Sequence, residues 1–198
     1  QKQEVEIIGQ KVKPFNAYGV DVMSMGSLME EGQALIWRGS MIMKAIEQFL
    51  RDILWSELDV LVIDMPPGTG DIQLTMAQEL PIAAAVLVTT PQMVANDDVS
   101  RAIMMFKETG VAIGGLVENM SYFIAPDTGN RYDIFGKDGG VNTAMRYDIP
   151  FLGSIPLDME IREMSDEGRP PVSLGSDIHK ACYQDLRNKL LKIMDESK

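Results

Sequence analysis

Residues suited to phosphate and magnesium chemistry are concentrated in one short segment of the 198-residue chain. Asp64 directly follows the unbroken apolar run Val60–Ile63, and the turn PPGTGD, Pro66–Asp71, comes next. A carboxylate is a hard oxygen ligand of the kind that magnesium prefers. The two glycines of the turn allow backbone N–H groups to approach an anion, and its two prolines stiffen it. The segment is therefore a candidate for holding a magnesium-bound phosphate group.

The same residues also have an ordinary structural interpretation. An apolar strand that ends in aspartate and a turn is common in proteins and by itself requires no ligand. Asp71 has a side chain suited to capping the helix predicted over Ile72–Leu80. A capping role for Asp71 is compatible with a position beside a phosphate group, so both interpretations stay open at this point.

The elements around this segment predict the fold class. The run Val60–Ile63 lacks polar alternation, which is typical of a central parallel strand covered on both faces. Apolar strands alternate with amphipathic helices along the rest of the chain, which predicts an α/β fold: a doubly wound, mostly parallel sheet with helices on both faces. The predicted strands are Val5–Ile8, Val20–Met25, Ala83–Thr90, Val111–Asn119 and Phe151–Ile155; the predicted helices are Ala34–Leu54, Ile72–Leu80, Val94–Thr109, Val141–Tyr147, Asp158–Gly168 and His179–Asp195.

Composition limits the possible functions. The formal net charge of −11 argues against a nucleic-acid surface and against docking on anionic lipid. The single cysteine, Cys182, cannot form an intramolecular disulfide, which favours the cytoplasm, and no run of 18 apolar residues is present. We expect one domain over residues 1–198 with neither a nucleic-acid nor a membrane partner.

Two further features are interpreted as structural. His179, the only histidine, is expected to be a surface residue at the start of the last helix. The glycine-rich loop Gly136–Gly140 lacks the G-x-x-x-x-G-K-[ST] pattern of a phosphate loop. We expect it to lead into the next helix rather than to bind phosphate.

Three blocks of sequence together resemble a known family. They are WRGSMIMKAIEQFLRDILWSELDVLVIDMPPGTGDIQLTMAQ at 37–78, VENMSYF at 117–123 and GSIPLDMEIREMSDEGRPP at 153–171. The chain resembles the Mrp/ApbC-type P-loop ATPases, the iron–sulfur cluster carrier branch of the MinD/ParA-like superfamily. The resemblance covers nearly the whole chain.

The resemblance implies specific roles for residues of this chain. Asp64 occupies the Walker B position that holds magnesium, and the turn corresponds to switch II. The resemblance implies ATP with Mg²⁺ as the cofactor if the family's N-terminal segment, which is missing here, is supplied. Asn119 would read the adenine edge, and Pro156 would flank the base from the other side. The resemblance also implies a homodimer that serves iron–sulfur or metallocluster client proteins. The nucleotide-binding residues expected on this basis are Asp64, Pro66, Pro67, Gly68, Asp71, Asn119 and Pro156.

The chain departs from the family pattern in the segment that follows Phe123. Family members carry C-P-x-C there, and two such thiolates from each of two subunits complete a four-cysteine cluster site. Ala125 and Thr128 occupy the two cysteine positions here, and Pro126 is retained. We therefore expect this chain to hold no bridging iron–sulfur cluster.

A second departure concerns the phosphate loop. The family's first strand, its Walker A loop and its switch I aspartate have no counterpart in these 198 residues. We expect the sequence to be the carboxyl-terminal portion of a longer chain, half of a split ATPase, or a diverged fragment, and to hydrolyse little ATP alone. The alternatives are a non-enzymatic interaction or regulatory module derived from the ATPase fold, and a MinD-like positioning ATPase.

Overall fold

The computed structural model describes residues 6–24, 39–66 and 68–196 of the chain. The predicted strand residues Val5 and Met25, the helix start at residues 34–38 and Pro67 lie outside the described residues. The chain divides into two compact units, residues 1–76 and 77–198. Each unit is described by itself below.

The first unit contains two short hairpins and a helix. Strand β1 (Ile7–Ile8) pairs antiparallel with β2 (Lys11–Val12), and β3 (Phe15–Ala17) pairs antiparallel with β4 (Val20–Val22). Helix α1 (Gly39–Arg51) follows. A parallel bridge between Val12 and Ile53 joins the first hairpin to the segment after α1, and Ile53 is buried there. The described parts of the strands predicted at 5–8 and 20–25 therefore each form one strand of a hairpin.

The predicted central strand over Val60–Ile63 is wrong for this structure, in which these residues form no strand. Their side chains are 39–85% exposed, with Val62 the most exposed. A buried strand requires backbone partners on its flanks and covering layers on its faces. Among the described residues no segment pairs with this run, so its apolar side chains meet solvent. Helix α2 (Asp71–Glu79) begins at the end of the following turn.

The second unit is built on a parallel sheet, which confirms the predicted α/β class. Strands β5 (Ala85–Thr89), β6 (Ile113–Glu118) and β9 (Phe151–Ser154) lie in the order β5-β6-β9, and both pairings are parallel. A small antiparallel hairpin of β7 (Phe123–Ile124) and β8 (Arg131–Tyr132) is inserted after β6. The helices of this unit are α3 (Met93–Thr109), α4 (Gly139–Tyr147), α5 (Met159–Asp166), α6 (Pro171–Leu174) and α7 (Asp177–Glu196).

The core of the second unit lies around the central strand β6. Leu116 of β6, Ile103 of α3 and Leu152 of β9 are almost completely buried. Strand β5 alternates, with Val86 and Val88 exposed between buried neighbours. Alternation of this kind marks a strand with one covered face. Because the three strands run parallel, their carboxyl ends lie together at one edge of the sheet.

The boundary of helix α3 agrees with its sequence. Gly110 adopts the left-handed conformation with φ 74°, and Val111 N–H donates to the Phe106 carbonyl at 3.0 Å. Glycine is preferred at this position because it has no Cβ. No helix within the described ranges combines the length and apolar character needed to span a membrane.

Candidate functional site

The turn after Asp64 is held in shape by one buried side chain. Gln73 of α2 is 5% exposed, and its Nε2 donates to the Pro66 carbonyl at 2.9 Å. Gly68 has φ 99°, a conformation that favours glycine. The bond from Gln73 therefore ties the first turn of α2 back to the loop. Gln73 was missed from sequence because a glutamine in a helix carries no sign that it will be buried.

The two carboxylates of this segment are open to solvent. Asp64 ends the extended segment, and Asp71 is the first residue of α2. The Gly70 carbonyl accepts from Leu74 N–H at 3.1 Å. The observed helix cap is therefore Gly70, one residue before the predicted cap Asp71. A negative charge in the first turn is still favourable beside the helix dipole. An exposed hard oxygen at Asp64 fits a magnesium ion in this first unit.

In the second unit the structure brings Asn119 and Pro156 to one edge of the sheet. Asn119 is the first residue after β6 and Pro156 the second after β9, and the two connections run side by side. Ser121 N–H donates to the Ile155 carbonyl at 2.9 Å, and Leu157 N–H donates to the Tyr122 carbonyl at 2.7 Å. This edge is where parallel sheets bind ligands.

Asn119 itself has a clear structural contact. Its Oδ1 accepts from the Met120 N–H at 2.9 Å, and Met120 has a positive φ of 50°. The backbone N–H of Asn119 donates to the Thr89 carbonyl at 2.7 Å. Asparagine commonly stabilises a turn in this way. The side-chain amide NH₂ is the group through which Asn119 could donate to a base.

Glu118, just before Asn119, was missed from the sequence. It is 2% exposed, and its two carboxylate oxygens accept from Ser121 Oγ and from the Gly140 N–H, each at 2.5 Å. A Cβ on Gly140 would lie 3.0 Å from Glu118 Oε2, so glycine allows the close approach. This hydrogen bond attaches the end of the glycine-rich loop to β6. The side chain of Glu118 thus connects the end of β6 to the start of α4.

A second buried amide lies beside this loop. Asn96 of α3 donates from Nδ2 to the carbonyls of Thr90 and Gln92 at 2.9 and 2.8 Å. Its Oδ1 accepts from Thr143 Oγ1 at 3.0 Å. Asn96 therefore joins the segment after β5 to α3 and α4. A cavity of about 220 Å³ opens next to it and is lined by Pro91, Met93, Asn96, Asp97, Ser100, Gly139, Thr143 and Arg146.

The hairpin that would carry cluster ligands has none of the required donors. Ala125 is buried and closes the hairpin through backbone bonds with Asn130 and Gly129. Thr128 Oγ1 accepts from the Asn130 N–H at 3.3 Å. A methyl group and a hydroxyl do not replace two thiolates. The residues at 125 and 128 therefore do not fit an iron–sulfur cluster.

Cys182 interacts electrostatically with Tyr122, the residue before this hairpin, despite their separation in sequence. Burial raises the pKa of Tyr122 above its ordinary 10.0, the Cys182 side chain raises it further, and the Arg131 guanidinium lowers it. Arg131 also lies over the Tyr122 ring, 4.4 Å from its centroid. One thiol still supplies only one of the ligands that a cluster needs.

His179 is not the surface residue that the sequence predicted. It is 4% exposed, and carboxylates face both of its ring nitrogens. Nε2 lies 3.3 Å from Asp158 Oδ2, and Nδ1 lies 3.5 Å from Glu160 Oε2. Asp158 caps α5, since its Oδ1 accepts from the N–H groups of Glu160 and Ile161. The burial arises because α7 packs against the core, which the position of a lone histidine in sequence does not reveal.

Comparison with known proteins relates this geometry to a family. Curated relatives include iron–sulfur cluster carrier proteins of Deinococcus radiodurans, 52% identical over 82% of this chain and 46% of the relative, and of Helicobacter pylori, 46% identical over 95% and 52%. The iron–sulfur cluster transfer protein NUBPL of Mus musculus is 45% identical over 94% of this chain and 59% of the relative. The chain thus spans about half the length of these relatives.

A solved structure shares the fold. A nucleotide-binding protein from Archaeoglobus fulgidus, determined in complex with ADP, superposes with a TM-score of 0.70 at 37% sequence identity. The match covers 84% of this chain and 65% of that protein. A family model described as "ParA: NUBPL iron-transfer P-loop NTPase" matches residues 1–191. The chain therefore belongs to the NUBPL iron-transfer family of P-loop NTPases.

Proposed function

We propose that this chain supplies the magnesium-side and adenine-side residues of an ATP site in a protein of iron–sulfur cluster assembly or transfer. The observation that carries the proposal is the turn held by Gln73, which leaves the Asp64 carboxylate exposed directly before it. The family membership supports nucleotide binding, as does the ADP complex of the Archaeoglobus fulgidus relative.

The individual roles are those that the family resemblance implies for each position. Asp64 would hold magnesium directly or through water. Gly68 would let backbone N–H groups approach the phosphates, Pro66 and Pro67 would stiffen the turn, and Asp71 would begin the helix that follows it. Asn119 would donate to the adenine edge, and Pro156 would pack against the base. Bound magnesium would neutralise phosphate charge, and the protein's contribution is to position these groups.

The cargo side of the proposal rests on the relatives. Several are named as iron–sulfur cluster carrier or transfer proteins. Because Ala125 and Thr128 lack thiolates, this chain would act in cluster assembly or transfer without a bridging cluster of its own. We further propose a cytoplasmic homodimer whose partners are metallocluster client proteins.

Two assays on the purified 198-residue chain test these statements. A coupled ATPase assay should show little or no steady turnover, because no described residue provides a loop that grips the triphosphate. After anaerobic reconstitution with iron and sulfide, the protein should contain no stoichiometric iron and sulfide and should show no charge-transfer absorbance in the visible range. Steady ATP turnover, or one cluster for each pair of chains, would contradict the respective statement.

A second function is favoured by one observation. The exposed apolar run Val60–Ile63 is a surface through which an ATPase-derived module could bind a partner without catalysis. Calorimetric titration with ATP, with and without magnesium, separates the two functions. Binding that requires magnesium supports the ATP site, whereas no nucleotide binding under either condition supports the interaction module.

A further inference from the structure

The buried imidazole ring of His179 lies in an electrostatically unfavourable environment. Its Nδ1 is buried and has no hydrogen-bond partner, yet the Glu160 carboxylate lies 3.5 Å away. A neutral imidazole carries its proton on one nitrogen only, so a proton on Nε2 leaves Nδ1 with a lone pair beside the Glu160 carboxylate. Two acceptors facing each other repel unless a cation lies between them. An unpartnered buried nitrogen also costs free energy.

The distances fit a shared metal ion better than a shared proton. A charge-assisted hydrogen bond between imidazolium and carboxylate is about 2.7–2.9 Å long, shorter than both the 3.3 and the 3.5 Å contacts of this ring. Two ligands bound at about 2.0–2.2 Å to one tetrahedral ion are separated by roughly 3.3–3.6 Å, and the 3.5 Å between Nδ1 and Glu160 Oε2 falls in this range. One donor atom from each of Asp158, Glu160 and His179 lies within 4.8 Å of the others.

The solvent access and the ligand chemistry of these three side chains also favour a metal ion. The side chains of Asp158 and Glu160 are 37% and 52% exposed, whereas that of His179 is 5% exposed. An ion could therefore enter from solvent and meet a fixed, buried imidazole. A set of one imidazole and two carboxylates suits zinc-like first-row metals more than magnesium or calcium, which prefer oxygen alone.

We propose that Asp158, Glu160 and His179 form a binding site for one divalent transition-metal ion of the zinc type. The ion joins the first turn of α5 to α7, with water completing its coordination. The site uses neither Ala125 nor Thr128, which stand at the thiolate positions of the family's cluster, and none of the proposed nucleotide-binding residues.

Because His179 is the only histidine of the chain, its ring nitrogens give an unambiguous NMR readout. The probe is Zn²⁺ alone, added to metal-free, ¹⁵N-labelled protein at neutral pH. A Cys182→Ser background removes the thiol as a competing ligand. We expect the ¹⁵N resonance of one ring nitrogen to move and saturate at one equivalent of Zn²⁺. A ring that is protonated at both nitrogens and unaffected by Zn²⁺ would overturn the proposal.

Variants at the exposed carboxylate guard against loss of folding. Glu160→Gln keeps the size of a half-exposed side chain and should weaken Zn²⁺ binding at least about tenfold, measured by competition with a chromogenic chelator. Glu163→Gln is the matched control on the same helix, outside the cluster, and should bind as the parent does. Equal Zn²⁺ affinities for Glu160→Gln and Glu163→Gln would refute the site.

Discussion

At the scale of single residues, the side chains that organise the ligand edge of the sheet are buried polar groups. Glu118 is almost inaccessible, yet both of its carboxyl oxygens accept hydrogen bonds. Asn96 similarly uses both ends of its amide. Buried polar groups are tolerated when they are hydrogen-bonded. The hydrogen bonds of these two residues fix the segments next to Asn119, which a glycine-rich loop alone would leave less constrained.

Removal of the Glu118 side chain should therefore destabilise the second unit. Glu118→Ala leaves Ser121 Oγ and the Gly140 N–H without their buried acceptor, and we expect a loss of about 3 kcal/mol in the free energy of unfolding. Urea denaturation measures this, and amide exchange at Gly140 should accelerate. Glu108→Ala, at an exposed position of α3, is the control. A loss below about 0.5 kcal/mol for Glu118→Ala would show that the network is unimportant.

A pH-dependent contact is predicted in the first unit. Hydrogen bonds from Asn16 and Ser56 hold the pKa of Asp21 below its ordinary 3.8. A lowered pKa in the folded state means that this contribution to stability is present above pH 3.8 and is lost as the pH falls through the lowered value.

Carboxyl ¹³C NMR titration tests the Asp21 contact. Ser56→Ala removes the hydroxyl that donates to Asp21 Oδ2 at 2.8 Å, so the pKa of Asp21 should move back toward 3.8. Ser165→Ala, in the second unit, should leave it unchanged. An Asp21 that titrates at or above 3.8 in the unmodified chain would rule out these hydrogen bonds.

Residue types identified some of these groups and missed others for a physical reason. Asp64 and Asn119 were found because they end apolar runs, and that position is visible in sequence. Glu118, Gln73 and His179 were missed because their burial depends on segments distant in sequence. For His179, the neighbouring Asp177 and Lys180 favoured a surface position.

At the scale of elements, apolar runs gave correct strands only where partners were present. The predicted strands that became β5, β6 and β9 were located to within two residues, bounded by Pro91, Gly110 and Pro150. The run Val60–Ile63 has the same character but forms no strand. Strand formation requires a neighbour to accept and donate the backbone bonds. Apolar composition alone cannot supply that neighbour.

The β6–β9 contact depends on a missing side chain. Gly115 has φ 139°, and a Cβ there would lie 2.7 Å from Leu152 Cγ and 2.8 Å from the Pro150 carbonyl oxygen. We expect Gly115→Ala to cost about 2 kcal/mol or more, because both the backbone and the packing must yield. Thermal or urea unfolding provides the measurement.

The adjacent glycine offers a matched control. A Cβ on Gly114 would make ordinary contacts at 3.5 Å and beyond, so Gly114→Ala should cost less than about 1 kcal/mol. Similar losses at Gly114 and Gly115 would show that the close approach to Leu152 has no special importance.

At the scale of the whole molecule, the family of this chain is established and its function is proposed. The family model extends over nearly the entire chain, whereas the chain covers about half of its curated relatives. Fold class and family follow from the described residues and the comparisons. Nucleotide binding, cluster transfer and dimerisation are proposed for this chain.

The central claim is that Asp64 holds the magnesium of a bound nucleotide, and calorimetric titration with ATP tests it most directly. The unmodified chain, Asp64→Asn and the control Asp59→Asn would each be titrated with and without magnesium. We predict magnesium-dependent binding that Asp64→Asn weakens at least about tenfold, or about 1.4 kcal/mol, and that Asp59→Asn preserves. Binding that is independent of magnesium, or equal in Asp64→Asn and the unmodified chain, would contradict the claim.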